Sequence, residues 1–462
     1  MQNKIFKDIL VSDEASIKVV MRSIDYSGLR VAYIVDKKNK LVGVVSDSEI
    51  RKAILKGRDI KDPIKNIVNT APVVLTEKDL LLSDTVRKKV KKLLKLMPDS
   101  RYMLVLDNTG HPKKIVPCGE LLGKTKATAK KRENYGRNVL VVGGAGYIGS
   151  VLVRKLLSQG FNVRVLDMLM YGSESLSGLY QNRGFDLIEG DMRNISTVVR
   201  ALEGIDVVIN LAAIVGDPAC KNKPEAAIET NYLANKALAE ACKYNQINRF
   251  IYASTCSVYG AMNGYRELNE SAPLNPVSLY ARSKIQSEEG ILNLEDENFA
   301  PTILRMGTMY GYSPRMRFDL VVNAMTKSAV TEKKIFVHNG GKQWRPLLHV
   351  EDAAEAYIKC IKAPVRRIKG AIFNVGSYHQ NYQILRIAET VANVIPGTSL
   401  VVEEKNEDPR NYIVSFSRIE RLLRFKAVNR IRKTVMRIKQ AIDSKEVREV
   451  NDSKYYNVEY ST

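Results

Sequence analysis

Tyr280 and Lys284 stand four residues apart in Tyr280-Ala-Arg-Ser-Lys284, so on a helix they share one face. A lysine ammonium beside a phenol would lower the phenol pKa and leave a base able to take a proton from a substrate hydroxyl. The same spacing is common on surface helices; here its surroundings give it weight. The segment Ser254-Thr255-Cys256-Ser257-Val258-Tyr259-Gly260 closes a predicted strand, with Thr255 placed 25 residues before Tyr280. Strand ends of that kind are where parallel sheets bind ligands. The Thr255 hydroxyl would hydrogen-bond the oxygen that Tyr280 deprotonates, and a hydride would leave the adjoining carbon for a nicotinamide.

A loop suited to such a cofactor precedes these residues. Gly143, Gly146 and Gly149 form GxxGxxG between the predicted strand Asn138–Val142 and a helix opened by Tyr147 and Ile148. Glycines permit the tight turn and close approach of backbone to a pyrophosphate, and the helix N-terminus presents free N–H groups. Asp167 follows Gly149 by 18 residues at the end of the next strand, where a carboxylate holds the adenosine ribose hydroxyls. It would repel a 2′-phosphate, which favours NAD(H) over NADP(H). A glycine-rich turn without cofactor is the competing reading, and the parts downstream outweigh it.

The elements that must position these residues alternate. From Arg137, apolar strands at 138–142, 162–167, 185–189, 206–211, 249–254 and 301–305 are separated by helices such as 147–159 and 224–244. That order predicts an α/β fold, a Rossmann-like doubly wound parallel sheet covered on both faces. After about residue 306 the alternation breaks down, and a smaller substrate lobe is expected there. Residues 1–123 read as a separate α/β module with a repeat: strand 31–35, turn, strand 41–45 and a helix from Ser46, recurring about seventy residues later. Residues 124–135, including Lys-Thr-Lys-Ala-Thr-Ala-Lys-Lys-Arg132, are a basic linker. The catalytic unit is then 136–420, and 421–462 is a basic extension whose stretch 418–440 reads as an amphipathic helix.

With 462 residues, 45% hydrophobic and 26% charged, the chain is long enough for two or three globular domains. No apolar run reaches the roughly 18 residues of a membrane span, and the N-terminus lacks the apolar core of a secretion signal. Cys118, Cys220, Cys242, Cys256 and Cys360 stand alone, without a CxxC pair, which suits a reducing cytoplasm. His338, His349 and His379 are scattered, His111 lies in a turn, and no metal is expected. The net charge of +22 divides into +14 over 1–132, +2 over 133–420 and +6 over 421–462. Without a nucleic-acid motif, this basic excess reads as solvated faces rather than a nucleic-acid surface.

Residues 136–420 resemble the extended short-chain dehydrogenase/reductases of the nucleotide-sugar epimerase/dehydratase group. The resemblance rests on GGAGYIG (143–149), Gly190-Asp191, Asn210-Leu-Ala-Ala213, Asn231, STCSVYG (254–260), YARSK (280–284) and Arg345-Pro-Leu-Leu-His-Val350. It implies a Thr255, Tyr280, Lys284 triad, Asp191 and Met192 beside the adenine, and Leu211, Ala212, Ala213 and Asn231 at the dinucleotide. The group's 4,6-dehydratases carry an acidic pair after the triad threonine; here Cys256 and Ser257 stand there, at the substrate. Dehydration is therefore disfavoured. What remains is epimerisation through a 4-keto intermediate, for surface-polysaccharide or glycoconjugate precursors, or net oxidation or reduction by a 4-dehydrogenase/ketoreductase. Ser313-Pro-Arg-Met-Arg-Phe-Asp-Leu320 and Asp408-Pro-Arg-Asn-Tyr412 resemble one branch of the group acting on nucleotide-linked hexoses and heptoses. On that resemblance Arg317, Arg345 and Arg410 would clamp the diphosphate of a nucleotide sugar, with guanidinium pairing bidentately to phosphate, and Thr308 stands where many relatives have Asn.

Residues 1–123 resemble a tandem pair of CBS domains. The resemblance implies an adenine-nucleotide site at Ser46 and Glu49, while the second copy, Ile115–Glu120, has lost the hydroxyl residue. A purely structural module that dimerises or docks is the alternative, and a homodimer or higher homo-oligomer is expected. A non-catalytic NAD or nucleotide sensor is the competing class of function; an intact triad speaks against it.

Overall fold

The computed structural model describes residues 6, 8–27, 31–96, 102–121, 138–261, 267–404 and 410–457. The chain falls into two units, Met1–Tyr135 and Gly136–Thr462. The expected linker at 124–135 lies outside the described residues.

The first unit is built from two copies of one motif. Leu10–Ser12 runs parallel to Val31–Val35, which pairs antiparallel with Leu41–Ser46; Leu75–Thr76, Tyr102–Leu106 and Pro112–Pro117 repeat that arrangement. The antiparallel register is reproduced at an offset of 71 residues: Val31 faces Ser46 and Tyr102 faces Pro117, and both ladders slip at the same place, Ile34/Val35 and Val105/Leu106. Apolar side chains from both copies, Ile9, Val31, Tyr33 and Val44 with Leu104, Leu106 and Ile115, form one cluster. A single repeat cannot bury that face by itself, which is why the motif is doubled.

The second unit centres on a seven-stranded parallel sheet. Its order is Ala371–Val375, Ala300–Met306, Arg249–Thr255, Val207–Asn210, Asn138–Val142, Asn162–Asp167, Phe185–Glu189. The central strands are buried along their length, as expected of a sheet covered on both faces. Strand order reverses at Asn138–Val142, the topological switch point where such sheets bind ligands. Six strands agree with the sequence reading to within one residue at each end. The seventh, Ala371–Val375, comes from beyond residue 306, so the second half of the unit feeds the main sheet as well as forming the lobe. The helix expected over 224–244 is interrupted: Pro224–Ile228 passes through a π-turn at Glu229–Leu233 into Ala234–Tyr244.

The stretch 418–440 is two helices, Ser417–Leu423 and Ile431–Asp443, separated where Arg424 adopts φ 51°. It docks on the lobe. Ile431 and Val435 join Val322, Ile387 and Val391 in one core cluster, and Ile438 and Ala441 join Met316 and Phe318 in another. The buried Asp352 carboxylate accepts from Val428 N at 3.2 Å and Asn429 N at 3.0 Å, fixing the turn between the helices. The lobe core therefore continues past residue 420. Replacing Ile438, 1% exposed, by Ala should cost about 2–5 kcal/mol through the cavity it leaves. Trp344, the single tryptophan, lies in this unit, and its emission during urea unfolding should report the lower midpoint.

Candidate active site

A cavity of about 1700 Å³ opens at the carboxyl ends of the parallel strands. Its floor is the glycine loop. Gly143 holds φ +81°, and a Cβ there would meet Ala212 N at 2.8 Å; a Cβ on Gly149 would meet Gly143 O at 2.3 Å. Only glycine permits this packing of helix against strand. The helix Tyr147–Ser158 starts at Gly146 with no side-chain cap, so its N-terminal N–H groups are left for a ligand. Asp167, ending the next strand, accepts from Ala145 N at 2.9 Å and Leu169 N at 2.8 Å. Burial raises its pKa, and those two backbone bonds and the Arg315 charge oppose the rise. Each carboxylate oxygen keeps a further lone pair for a hydroxyl.

Thr255, Tyr280 and Lys284 line the same cavity. Ser278 caps the helix Leu279–Leu292 through Ala281 N, which sets Tyr280 in its first turn and Lys284 one turn on. Lys284 Nζ donates to Ala253 O at 2.9 Å and lies 4.7 Å from the Tyr252 ring centroid and 5.8 Å from that of Tyr280. Burial pushes the Lys284 pKa down to about 8, with Cys220 and Glu288 opposing. Burial likewise raises Tyr280; of its charged neighbours, Arg317 is the one that pulls it down. The sequence assigned that pull to Lys284. The ammonium is instead aimed at the strand carbonyl of Ala253.

Most of the other expected residues also reach the cavity: Ile148, Met192, Leu211, Ala212, Ala213, Ser257, Thr308, Arg317, Arg345 and Arg410 line it together with Tyr147. Three do not. Cys256 is 1% exposed and turns its thiol to Arg305 O at 3.3 Å, away from the substrate side. Asn231 is buried behind the wall, accepting from Ile214 N at 2.8 Å and donating to Ile214 O at 2.9 Å, so it braces the loop after Leu211–Ala213. Asp191 pairs with Arg193 at 2.7 Å beside the cavity, and it is Arg193 that lines it. In the first unit, Ser46 and Glu49 form a capping box for the helix Asp47–Leu55, Glu49 accepting from Ser46 N at 2.7 Å.

The structure adds lining residues that sequence reasoning passed over: Tyr171, Asp217, Arg315, Asp319, Tyr412 and Asn457. Arg317 holds Asp319 bidentately, Nε to Oδ1 at 3.0 Å, and Arg410 meets Asp217 at 3.0 Å. Arg345 donates to Trp344 O at 2.8 Å and stands over the Tyr412 ring. Among the described residues no group of three His, Cys, Asp or Glu side chains is placed to hold a metal, and no helix is long and apolar enough to cross a membrane.

A glycine loop at the switch point of a parallel sheet, with Thr255, Tyr280 and Lys284 on one cavity, defines a short-chain dehydrogenase/reductase of the extended type. Residues 139–376 match the model of the NAD dependent epimerase/dehydratase family, and the chain belongs to that family. Residues 5–56 match the CBS domain. The chain is 28% identical over 302 residues to "Uncharacterized UDP-glucose epimerase YtcB" of Bacillus subtilis, covering 62% of this chain and 92% of that protein. It is 27% identical over 282 residues to the dTDP-D-glucose 4,6-dehydratase of Bos taurus, covering 59% and 77%. The structure of Bacillus cereus UDP-glucuronic acid 4-epimerase, solved with UDP-glucuronic acid and NAD, superposes with TM-score 0.59 at 25% identity, covering 66% of this chain and 99% of that one.

The Lys284 shift has a pH consequence. Below pH 8 both folded and unfolded chains carry the ammonium, and its burial costs stability in full. As pH rises from about 8 towards the ordinary 10.5, the folded chain gives up the proton first and the cost falls away. In ligand-free protein, Lys284→Met should therefore be stabilised relative to wild type most strongly near pH 7, with the gap closing towards pH 10. Thermal melts of both proteins across that range check this; a gap independent of pH would refute it.

Proposed function

We propose that the chain is an NAD-dependent nucleotide-sugar epimerase working through a 4-keto intermediate, in the synthesis of surface-polysaccharide or glycoconjugate precursors. The observation that carries the reading is the convergence of Thr255, Tyr280 and Lys284 on the cavity floored by the glycine loop. The fit to a dinucleotide rests on the uncapped helix at Gly146, the Asp167 carboxylate and the close packing at Gly149. NAD held by the glycine loop and Asp167 would supply the hydride chemistry at C4 of the sugar. Tyr280 takes the C4 hydroxyl proton as the ketone forms and gives it back on reduction. Thr255 hydrogen-bonds the same oxygen, and the Lys284 ammonium, on the same helix face as Tyr280 and 5.8 Å from its ring centroid, steadies the negative charge that the phenol takes on. Arg345 and Arg410 bind the substrate diphosphate, so the sugar is free to turn its other face to the cofactor.

Among the described residues, the lack of a suitably placed acid supports epimerisation over dehydration. After Thr255 the chain offers Cys256, buried away from the cavity, and Ser257. The carboxylates that line the substrate side, Asp217 and Asp319, are each engaged by an arginine. Elimination of water needs a positioned proton donor, and neither position after Thr255 supplies one.

Incubating the protein and NAD with UDP-, GDP-, dTDP- and CDP-sugars, followed by NMR, should give a C4 epimer from one of them. A stable ketone would favour the 4-dehydrogenase reading, and a 4-keto-6-deoxy product would overturn the exclusion of dehydration. Tyr280→Phe should lower turnover by roughly 10²–10⁴, the usual worth of a positioned acid–base group, while NAD binding and folding persist. Asp167→Ala should weaken NAD binding and erode the preference over NADP, both read by calorimetry.

A further inference from the structure

The loop Ser313–Phe318 crosses the cavity and carries two arginines, Arg315 and Arg317. On its inner side it is pinned to the phosphate-binding helix: Ser313 Oγ donates to Tyr147 O at 2.7 Å, and Tyr147 Oη donates to Gly311 O at 2.6 Å. On its outer side it is clasped by the segment after the last long helix. Phe318 N donates to Tyr455 O at 2.9 Å, their rings meet edge to face, and Tyr312 Oη bonds Glu446 at 2.5 Å. Met316 and Phe318 pack with Val447, Val450 and Tyr456. At the end of this clasp, Asn457 Oδ1 accepts from Arg315 Nη2 at 2.7 Å.

Arg315 differs from the other arginines of the cavity. It is 5% exposed, its guanidinium lies 3.8 Å from the Tyr171 ring centroid, and its Nε is buried with no hydrogen-bond partner. Among the described residues no carboxylate forms an ion pair with it, whereas Arg317 has Asp319 and Arg410 has Asp217. A buried cation of this kind is costly unless an anion completes it. Burial and the adjacent Arg317 charge push its pKa down to about 10, which expresses that cost. Tyr171 belongs to the turn just after Asp167, and the Arg315 charge reaches Asp167. The guanidinium therefore stands on the dinucleotide side of the cavity, and Arg317 on the side of Tyr280.

We propose that Arg315 is a phosphate ligand of the dinucleotide and that Asn457, held by the C-terminal clasp, is its positioning residue. The proposal rests on the reading of the cavity as an NAD site. Asn457 fixes the fork of Arg315 against Tyr171, so the ordering of a long side chain is met in folding rather than on binding. Residues 445–457 are in this way part of the cofactor site.

Calorimetric titration of nucleotide-free full-length protein with NAD tests this. Charge-assisted hydrogen bonds of this type are worth roughly a tenfold change in affinity. Asn457→Ala and Arg315→Gln should each weaken NAD by about that factor. The double variant should be no weaker than Arg315→Gln alone, because one residue acts through the other. Asn457→Asp keeps the acceptor oxygen but sets a carboxylate on Arg315 that must compete with phosphate, so it should weaken NAD at least as much as Asn457→Ala while the fold persists, an effect that a merely structural role would not give. Wild-type affinity in Asn457→Ala, or fully additive losses in the double variant, would overturn the proposal. If wild-type protein itself takes up no NAD, the reading of the cavity fails instead.

Discussion

Glu288, one helical turn beyond Lys284, is 3% exposed and faces Arg305, also 3% exposed, on the neighbouring strand. Arg305 Nη2 reaches Glu288 Oε2 at 2.7 Å and Nε reaches Oε1 at 3.1 Å. Ser254, immediately before Thr255, donates to the same carboxylate. Arg305 Nη1 goes on to Tyr259 Oη at 3.1 Å, and Tyr259 Oη to Asn374 Oδ1 at 2.8 Å, on the seventh strand. This one network joins the helix that carries Tyr280 and Lys284 to the strand that ends in Thr255. The placing of Tyr280 relative to the Thr255 hydroxyl is set there. Removal of Glu288 or Arg305 alone would leave the other charge buried and uncompensated, at a cost of about 3–5 kcal/mol.

The same burial that orders the triad also sets its resting state. Tyr280 and Lys284 are both in surroundings that disfavour charge, so without ligand the phenol keeps its proton and the amine is easily neutralised. A Tyr-Lys pair on one helix face is therefore a scaffold for a base and becomes one only when a cation stands nearby. Arg317 is already placed to pull on the phenol, and the oxidised nicotinamide would bring a second positive charge. On the proposed reading, chemistry is thus coupled to cofactor occupancy by electrostatics.

Periodicity and glycines made the nucleotide-binding half legible. Residues 139–142 and 207–209 are continuous apolar runs, as a parallel strand covered on both faces has to be, while Asn162–Asp167 and Phe185–Glu189, nearer the sheet edge, interleave Arg164 and Asp186 with apolar residues. The triad was legible because its spacing is local to one helix and one strand end. Facing was not. Cys256 follows Thr255 directly, and a single step along a tight turn decides whether a side chain meets substrate or the core. Asn231 was assigned to the cofactor from its place in the pattern, but at that point the helix carries a π-turn, and the amide is spent on Ile214. Ala371–Val375 escaped because it lies after a stretch of loops, where alternation no longer announces the main sheet. Arg315 stood in plain view beside Arg317. Which of two arginines in an irregular loop carries a carboxylate partner depends on Asp319 on one side and on Asn457, some 140 residues away (457 − 315), on the other.

That distribution of partners bears on how an anionic substrate is received. On the proposed reading, Arg410 must turn part of its fork to a diphosphate, yet in the free chain it is held by Asp217 at 3.0 Å. A carboxylate in that place costs affinity, because phosphate must compete with it. It also keeps a long, flexible side chain ordered before anything binds, and so reduces the entropy lost on binding. The two effects oppose each other, and their balance differs with the size and charge of what enters. A fragment lacking the diphosphate has no charge with which to draw Arg410 from Asp217. A nucleotide sugar does, and it arrives with its sugar facing Tyr280. Discrimination at this end of the cavity then comes less from the shape of the sugar pocket than from the need for two negative charges at a fixed distance from the triad.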